Sequence, residues 1–379
     1  ALALRMASQK GRALMILHGY FIRKFLGLFF GLLLLFFVFQ ALIDLIETVR
    51  RFQGADVTFW GLISLTLLNV PQGLYQIIPL VMILATVSLF LGLARSSELV
   101  VVRATGRSAL RALIAPASMA FLIGVILVAM FNPIVAATTK RFHDKSQELR
   151  DGSIDVLSLS AEGLWLRQGG AEGQTVIRAT SANPDATVLY DVTFLSYAPK
   201  GGPLKRVEAA EARLEPGAWE LTDATVWPLS SGVNPEGSVA RHLTLRISST
   251  LTQERILESF GAPSAISVWD LPAFIKQLDQ AGFSTRRHAV WLQMELAQPL
   301  FLLAMVLVGA AFTMRHGRGG GTGLAVLASV LLGFGLYYIR NFAQVLGENG
   351  QIPVLLAAWA PPTASILLAW GLLLHMEDG

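Results

Sequence analysis

The sequence predicts an α-helical polytopic membrane protein with six transmembrane helices and a β-jellyroll-like domain inserted between helices three and four. Three observations predict it. Hydrophobic residues make up 53% of the 379 positions and charged residues 15%, against roughly 25% charged in an ordinary soluble domain; mean hydropathy is +0.55. Six windows exceed the ~18 mostly apolar residues that mark a membrane span. Between the third and fourth, residues 140–265 change to short alternating runs broken by Gly, Pro and Asn, which is how strands and turns read.

Residues 1–14 read as an N-terminal extension, because Met15 followed by "ILHGYFIRKFLG" makes a natural start. The spans fall at about 21–46, 60–94, 109–138, 290–314, 322–346 and 352–376, the second punctuated by Pro71 and Pro79. Basic residues set the orientation. Arg5, Lys10, Arg12, Arg23 and Lys24 precede span one, four arginines lie in 95–111, and "RHGRGGG" follows span four. These segments alternate correctly as cytoplasmic loops, which places the central domain outside. Where the host is a bacterium with two membranes, the periplasm then holds this domain, 140–265. Within it "TVLYDVTFLSY" (187–197) alternates, and in "RHLTLRIS" (241–248) Leu243, Leu245 and Ile247 share one face. Residues 266–285 contain an amphipathic helix with Ser267 as N-cap and an apolar stripe of Leu271, Phe274, Ile275 and Leu278, expected at the membrane interface. The remainder, 286–379, holds the last three spans.

Several chemistries are excluded. With no Cys there is neither a disulfide nor a thiolate metal site, and the six His lack ligand spacing. "RHGRGGGTG" (315–323) has no Lys after its glycines, so it makes a flexible turn and no phosphate-binding loop. No nucleophilic triad or carboxylate pair stands out in the spans, and no site for nucleic acid. The chain reads as a non-enzyme with no cofactor of its own.

One loop is over-built for a turn. "SSELVVVRATGRSALR" (96–111) predicts a short helix, 96–106, started by Ser96, with Glu98 in its first turn and Gly106 closing it. Leu99 and Val102 face one way and Arg103 another. Such a helix suits either anionic headgroups or the cleft of a cytoplasmic motor, with Glu98 meeting a basic residue there. Asp44 and Arg340 are ionisable groups within spans one and five, which marks each as an intramembrane polar or gating residue.

"SELVVVRATG" (97–106) resembles the coupling-helix signature of the LptF/LptG permeases, which export lipopolysaccharide, and the order of parts is similar from Met15 onward. "EGLWLRQ" (162–168), "AISVWDLPAFIKQL" (265–278) and "QPLFLLAMVLVGAAF" (298–312) look closer to the LptG branch. The resemblance implies a permease subunit of an ABC transporter that extracts lipopolysaccharide from the inner membrane for outer-membrane biogenesis. Its implied partners are LptF as second permease subunit, a dimer of the ATPase LptB carrying ATP and Mg, and LptC and LptA as periplasmic bridge. It assigns ATPase coupling to Glu98, Leu99, Val102, Arg103 and Gly106. The substrate's acyl chains imply a cavity lined by Phe29, Leu33, Phe36 and Phe37, and its phosphates imply contacts from Arg50, Arg51, Lys140, Arg141 and Lys145. The LptG pattern also implies a Lys at position 44 and an acid near 340; the signs here are exchanged, as a pair swapped together would be. Two other classes fit less of the chain: a different lipid or lipoprotein ABC exporter, usually with four spans per subunit, and a membrane receptor or scaffold without turnover.

Overall fold

A computed structural model describes residues 2–53, 57–98, 109–151, 158–160, 163–170, 173–198, 202–229, 236–249, 251–253, 256, 262–314 and 322–377. The chain divides into two compact units, one of residues 1–142 with 289–379 and one of residues 143–288.

The first unit is helical. Its helices are α1 (Leu2–Arg51), α2 (Phe59–Arg95), α3 (Ala109–Ile126) leading through a π-helical turn (Leu127–Phe131) into α4 (Asn132–Asp151), and later α6 (Arg286–Thr313), α7 (Thr322–Glu348) and α8 (Val354–Glu377). Six stretches within them are long and apolar enough to cross a membrane: Leu17–Arg51, Phe59–Arg95, Arg111–Ser146, Arg286–Thr313, Gly323–Glu348 and Val354–His375. The sequence windows fall inside all six within a few residues. The differences lie at the ends. Residues 2–14, expected as a separate extension, continue α1, and α4 carries the third span to Asp151, past the boundary expected at 140.

Helices α2 and α6 form the centre of this unit. Ile78, Val81, Met82, Ile83, Leu89 and Phe90 of α2 are buried, as are Phe301, Leu302, Met305, Val306 and Val308 of α6. Helices α1 and α7 each keep an apolar side outward, with Phe30, Leu34 and Phe39 on α1 and Leu331, Phe334 and Phe342 on α7 exposed. In a bilayer such surfaces meet hydrocarbon at no cost, so close helix approach has to come from shape. Gly124 of α3 supplies it: a Cβ there would collide with the Pro299 backbone of α6.

The second unit is built on a seven-stranded sheet: β1 (Ser158–Ser160), β2 (Gly163–Gly170), β3 (Gly173–Ala182), β4 (Val188–Tyr197), β5 (Pro203–Glu215), β6 (Ala218–Pro228) and β7 (Ala240–Ser248). Strands pair antiparallel in sequence order from β1 to β7. The inserted sheet domain is as expected, but its connections are those of a meander, whereas a jelly roll is two Greek keys. Among the described links, residues 183–187 join β3 to β4 and Pro216–Gly217 join β5 to β6, both as short turns.

Alternation holds only in sections. On β4, Val192, Phe194 and Ser196 are buried in step, yet Leu189 is buried too, three residues before Val192. The same jump of three separates Ala179 from Ala182 on β3, Ala209 from Ala212 on β5, and Leu221 from Ala224 on β6. The ladder loses its pairing at this level across β3 to β7, while register on either side is kept. Asp191 and Asp223 sit there at φ 50° and 55°, a left-handed conformation that Asp tolerates better than most residues. The result is one crease across the sheet, at which pairing lapses without a change of register. On β7 it places Leu243 outside, 87% exposed, while Leu245 and Ile247 pack on the core, so the single face expected for all three is corrected.

Helix α5 (Leu271–Gln280) starts from Asp270 and not from Ser267, whose carbonyl instead accepts the Asp270 and Leu271 amides in a preceding turn. Its stripe packs inward on the sheet: Leu278 is fully buried beside Ala281 and Phe283 in the core of this unit, and Phe274 packs at its margin. The amphipathic pattern expected to face lipid thus closes the β core.

Candidate functional site

Four groups of polar or aromatic side chains in the helical unit bear on function. The first lies where α2 ends. Ser96, expected to start the coupling helix, terminates α2: its amide and its hydroxyl both donate to the Gly92 carbonyl, each at 3.0 Å. Ser97 follows at φ 55°, the left-handed residue that commonly closes a helix. Glu98 is thereby turned back toward α1. Its carboxylate accepts from the Lys24 ammonium at 3.1 Å and from Ser96 Oγ at 2.7 Å, and Lys24 also lies 5.3 Å from the centre of the Tyr20 ring. Partial burial pushes the Glu98 carboxyl up; hydrogen bonds from Ser96, Lys24 and Tyr20, with the Lys24 charge, outweigh it and hold the group below its ordinary value. Leu99, Val102, Arg103 and Gly106 lie outside the described residues.

The second group is the aromatic face of α1. Phe21, Phe25 and Phe29, one turn apart, are buried in the helical core, and Phe25 stacks on Phe29 at 6.5 Å. Leu33 and Phe36 pack at the margin of that core and Phe37 is exposed. Of the four residues assigned to an acyl-chain cavity, Phe29 is therefore interior and the other three approach the surface.

The third group is cationic. Arg50, Arg51, Lys140, Arg141 and Lys145 are all exposed. The Arg51 guanidinium lies 6.0 Å from the Phe142 ring centre and pairs with Glu47 at 2.7 Å, while Phe52 and Phe142 share a small core with Leu65. The end of α1 and the middle of α4 therefore present Arg50, Arg51, Lys140 and Arg141 together. Lys145 lies one turn further along α4, in the second unit.

The fourth group holds Asp44 and Arg340, which do not pair with each other within this chain. Asp44 faces α2: Gln40 Nε2 donates to its Oδ1 at 2.9 Å and Asn69 also hydrogen bonds to it, while Oδ2 is buried without a hydrogen-bond partner. Gln40 itself rests on Gly73 of α2, where a Cβ would meet its side chain. Thr139 of α4 bonds to Gln72 at 3.3 Å, so α1, α2 and α4 share a polar seam. Arg340 of α7 points elsewhere. It lies 5.0 Å over Phe301, reaches the Met294 carbonyl at 3.5 Å, and is in electrostatic range of Glu295 and Tyr75. Glu295, 2% exposed in the middle of α6, accepts the Tyr75 hydroxyl, and Asn132 hydrogen bonds to both. The π-helical turn ends on Asn132, and Phe131 within it stacks on Tyr75 at 6.1 Å. Such insertions often mark functional positions in helices.

Sequence reasoning missed Glu295, although an acid inside the "MELAQPLF" run carries the same default significance as Arg340. Tyr75 and Asn132 gave no signal, because both are ordinary in spans until a buried carboxyl faces them. Among the described residues no three His, Asp or Glu side chains are grouped to hold a metal ion.

Six apolar spans interrupted by a sheet domain define a multi-pass membrane protein. Residues 19–375 match the family model described as lipopolysaccharide export system permease LptF/LptG, and the chain belongs to that family. It is similar to the lipopolysaccharide export system permease protein LptG of Haemophilus influenzae, 23% identical over 382 residues, covering 96% of this chain and 99% of that one. The LptG of Escherichia coli K12 is 22% identical over 341 residues, covering 89% and 91%.

Proposed function

We propose that this chain is the LptG-like half of an ABC exporter that lifts lipopolysaccharide out of the inner membrane. LptF supplies the second set of spans, an LptB dimer holds ATP and Mg and turns them over, and LptC and LptA receive the lipid. The observation that carries this reading is the family match across nearly the whole chain, joined to a charged cytoplasmic loop directly after span two. A chain without a nucleotide loop needs its energy from a partner, and that loop is where a partner can push.

Substrate chemistry fits the rest of the helical unit. Leu33, Phe36 and Phe37 offer apolar surface to acyl chains, and the cluster of Arg50, Arg51, Lys140 and Arg141 offers charge-assisted hydrogen bonds to phosphates. The sheet domain lies in the periplasm and hands lipid onward by adding a strand from the bridge to its edge. β7 suits that role: it is nine residues long and pairs with β6 alone among the described strands, whereas the opposite edge, β1, has three residues.

Depletion in a lipopolysaccharide-producing host, with co-purification from an otherwise native background, tests the reading. An ATPase and a second six-span subunit should accompany the chain, and newly made lipopolysaccharide should accumulate in the inner membrane. A chain that purifies alone, with normal lipopolysaccharide delivery after depletion, refutes it.

A further inference from the structure

Glu98 is the acid expected to meet a basic group on a motor, and the structure gives it a different partner. Lys24 of α1 reaches it across 74 positions of sequence at 3.1 Å. Three features make this more than a surface ion pair of negligible worth. The turn at Ser97 is a non-glycine residue in the left-handed region, and it aims Glu98 back toward α1. Both ends are held: Ser96 donates to the carboxylate, and Tyr20, one turn before Lys24, accepts from the ammonium at 3.1 Å. Both side chains are about two-thirds withdrawn from solvent, at 31% and 33% exposed. Lys24 also stands directly before Phe25, and Phe25 and Phe29 are locked in the helical core.

We propose that Lys24 is a positioning residue that ties the entrance of the coupling segment to α1, so that a displacement of Glu98 is passed directly into the first span. This rests on the functional reading above and adds a route to it. Force on the loop reaches the α1 face carrying Leu33, Phe36 and Phe37 through one ion pair, without first moving α2. Glu98 then acts within its own chain, and a partner need only push the segment; it need not supply a cation to Glu98.

Charge exchange in the intact complex, reconstituted in vesicles, tests this. Lys24→Glu and Glu98→Lys should each lower the lipopolysaccharide delivered per ATP hydrolysed by tenfold or more. The double exchange should return it to within about threefold of the parent, and Lys24→Arg should stay close to the parent. Because the chain contains no Cys, Lys24→Cys with Glu98→Cys provides a second arm: a short bismaleimide bridge should restore delivery that the unbridged pair has lost. The proposal is overturned if the double exchange stays as defective as Glu98→Lys while the complex still assembles, or if either single reversal delivers normally. If the parent chain has no associated ATPase, the functional reading fails instead. The tie is then read from thermal unfolding of the isolated chain, where the double exchange must recover the midpoint lost by each single reversal.

Discussion

Replacing Tyr75 by Phe removes one hydroxyl from the buried network and leaves ring, packing and helix unchanged. The hydroxyl donates to Glu295 Oε2 from α2 into α6, and Glu295 is 2% exposed. A buried acceptor that loses its donor bears a desolvation penalty of about 1–3 kcal/mol. Asn132 still serves the carboxylate, so the lower half of that range applies, about 2 kcal/mol. At tenfold for each 1.4 kcal/mol, the folded-to-unfolded ratio drops about 30-fold. The assay is reversible unfolding of the full chain in mixed micelles with rising denaturing detergent. Glu295→Ala provides the control arm: in that background the hydroxyl has lost this acceptor, so Tyr75→Phe should cost less than about 0.5 kcal/mol. The two substitutions are then non-additive, as expected of residues in contact. A loss below about 0.5 kcal/mol for Tyr75→Phe, or strict additivity in the double variant, would refute the claim that this bond holds α2 against α6.

Other outcomes follow from the same geometry. Gly73→Ala should destabilise the helical unit by about 1–3 kcal/mol in that assay, because the new methyl pushes the Gln40 amide off the buried Asp44 carboxylate; Gly73→Ala together with Gln40→Ala should cost no more than Gln40→Ala alone. Trp219→Ala should cost about 3–5 kcal/mol and lower the melting of the sheet unit, since Trp219 is fully buried and packs edge-on against Phe194 at 6.3 Å; unchanged amide exchange across β4 to β6 would contradict it. The Lys24–Glu98 tie has a definite pH sense. Glu98 is held below its ordinary 4.5, so its contribution is complete above that value and is lost as pH falls through the lower folded-state value. The stability gap between the parent chain and Glu98→Gln should accordingly be constant near neutrality and close only below about pH 4.5; a gap that closes between pH 6 and 8 would show that another group titrates.

What the sequence made legible follows from how each feature is encoded. Spans are written in composition over twenty or more residues, so every one was recoverable, and an error of a few positions at Leu17 or Ser146 changes nothing about the count. Strands were legible as strands for the same reason. Their packing was not, because alternation predicts a face only while the phase is kept, and the phase resets at Asp191 and Asp223, whose backbone conformations no pattern announces. The α5 stripe was read as interfacial because amphipathic spacing does not say what its apolar side meets; Leu278 is buried in the β core. Site residues split along a similar line. Asp44, Arg340 and Glu98 stood out because charge in such surroundings is rare, but their partners Gln40, Met294 and Lys24 are set by which helices meet. Whether Asp44 and Arg340 meet could not be read from two rare charges on separate spans. Here local amides serve the one, and an aromatic ring with an unnoticed acid nearby serves the other.

The crease through the sheet domain makes each long strand two modules with separate inside–outside bookkeeping. An odd-length insertion placed elsewhere in β5 would turn half of its side chains inside out. Ala210 pairs with neither neighbouring strand, so an added residue there breaks no ladder hydrogen bond and can be absorbed as a bulge. Homologues should therefore differ in strand length at that level before they differ anywhere else, and loop or epitope grafts into this domain have their safest entry there.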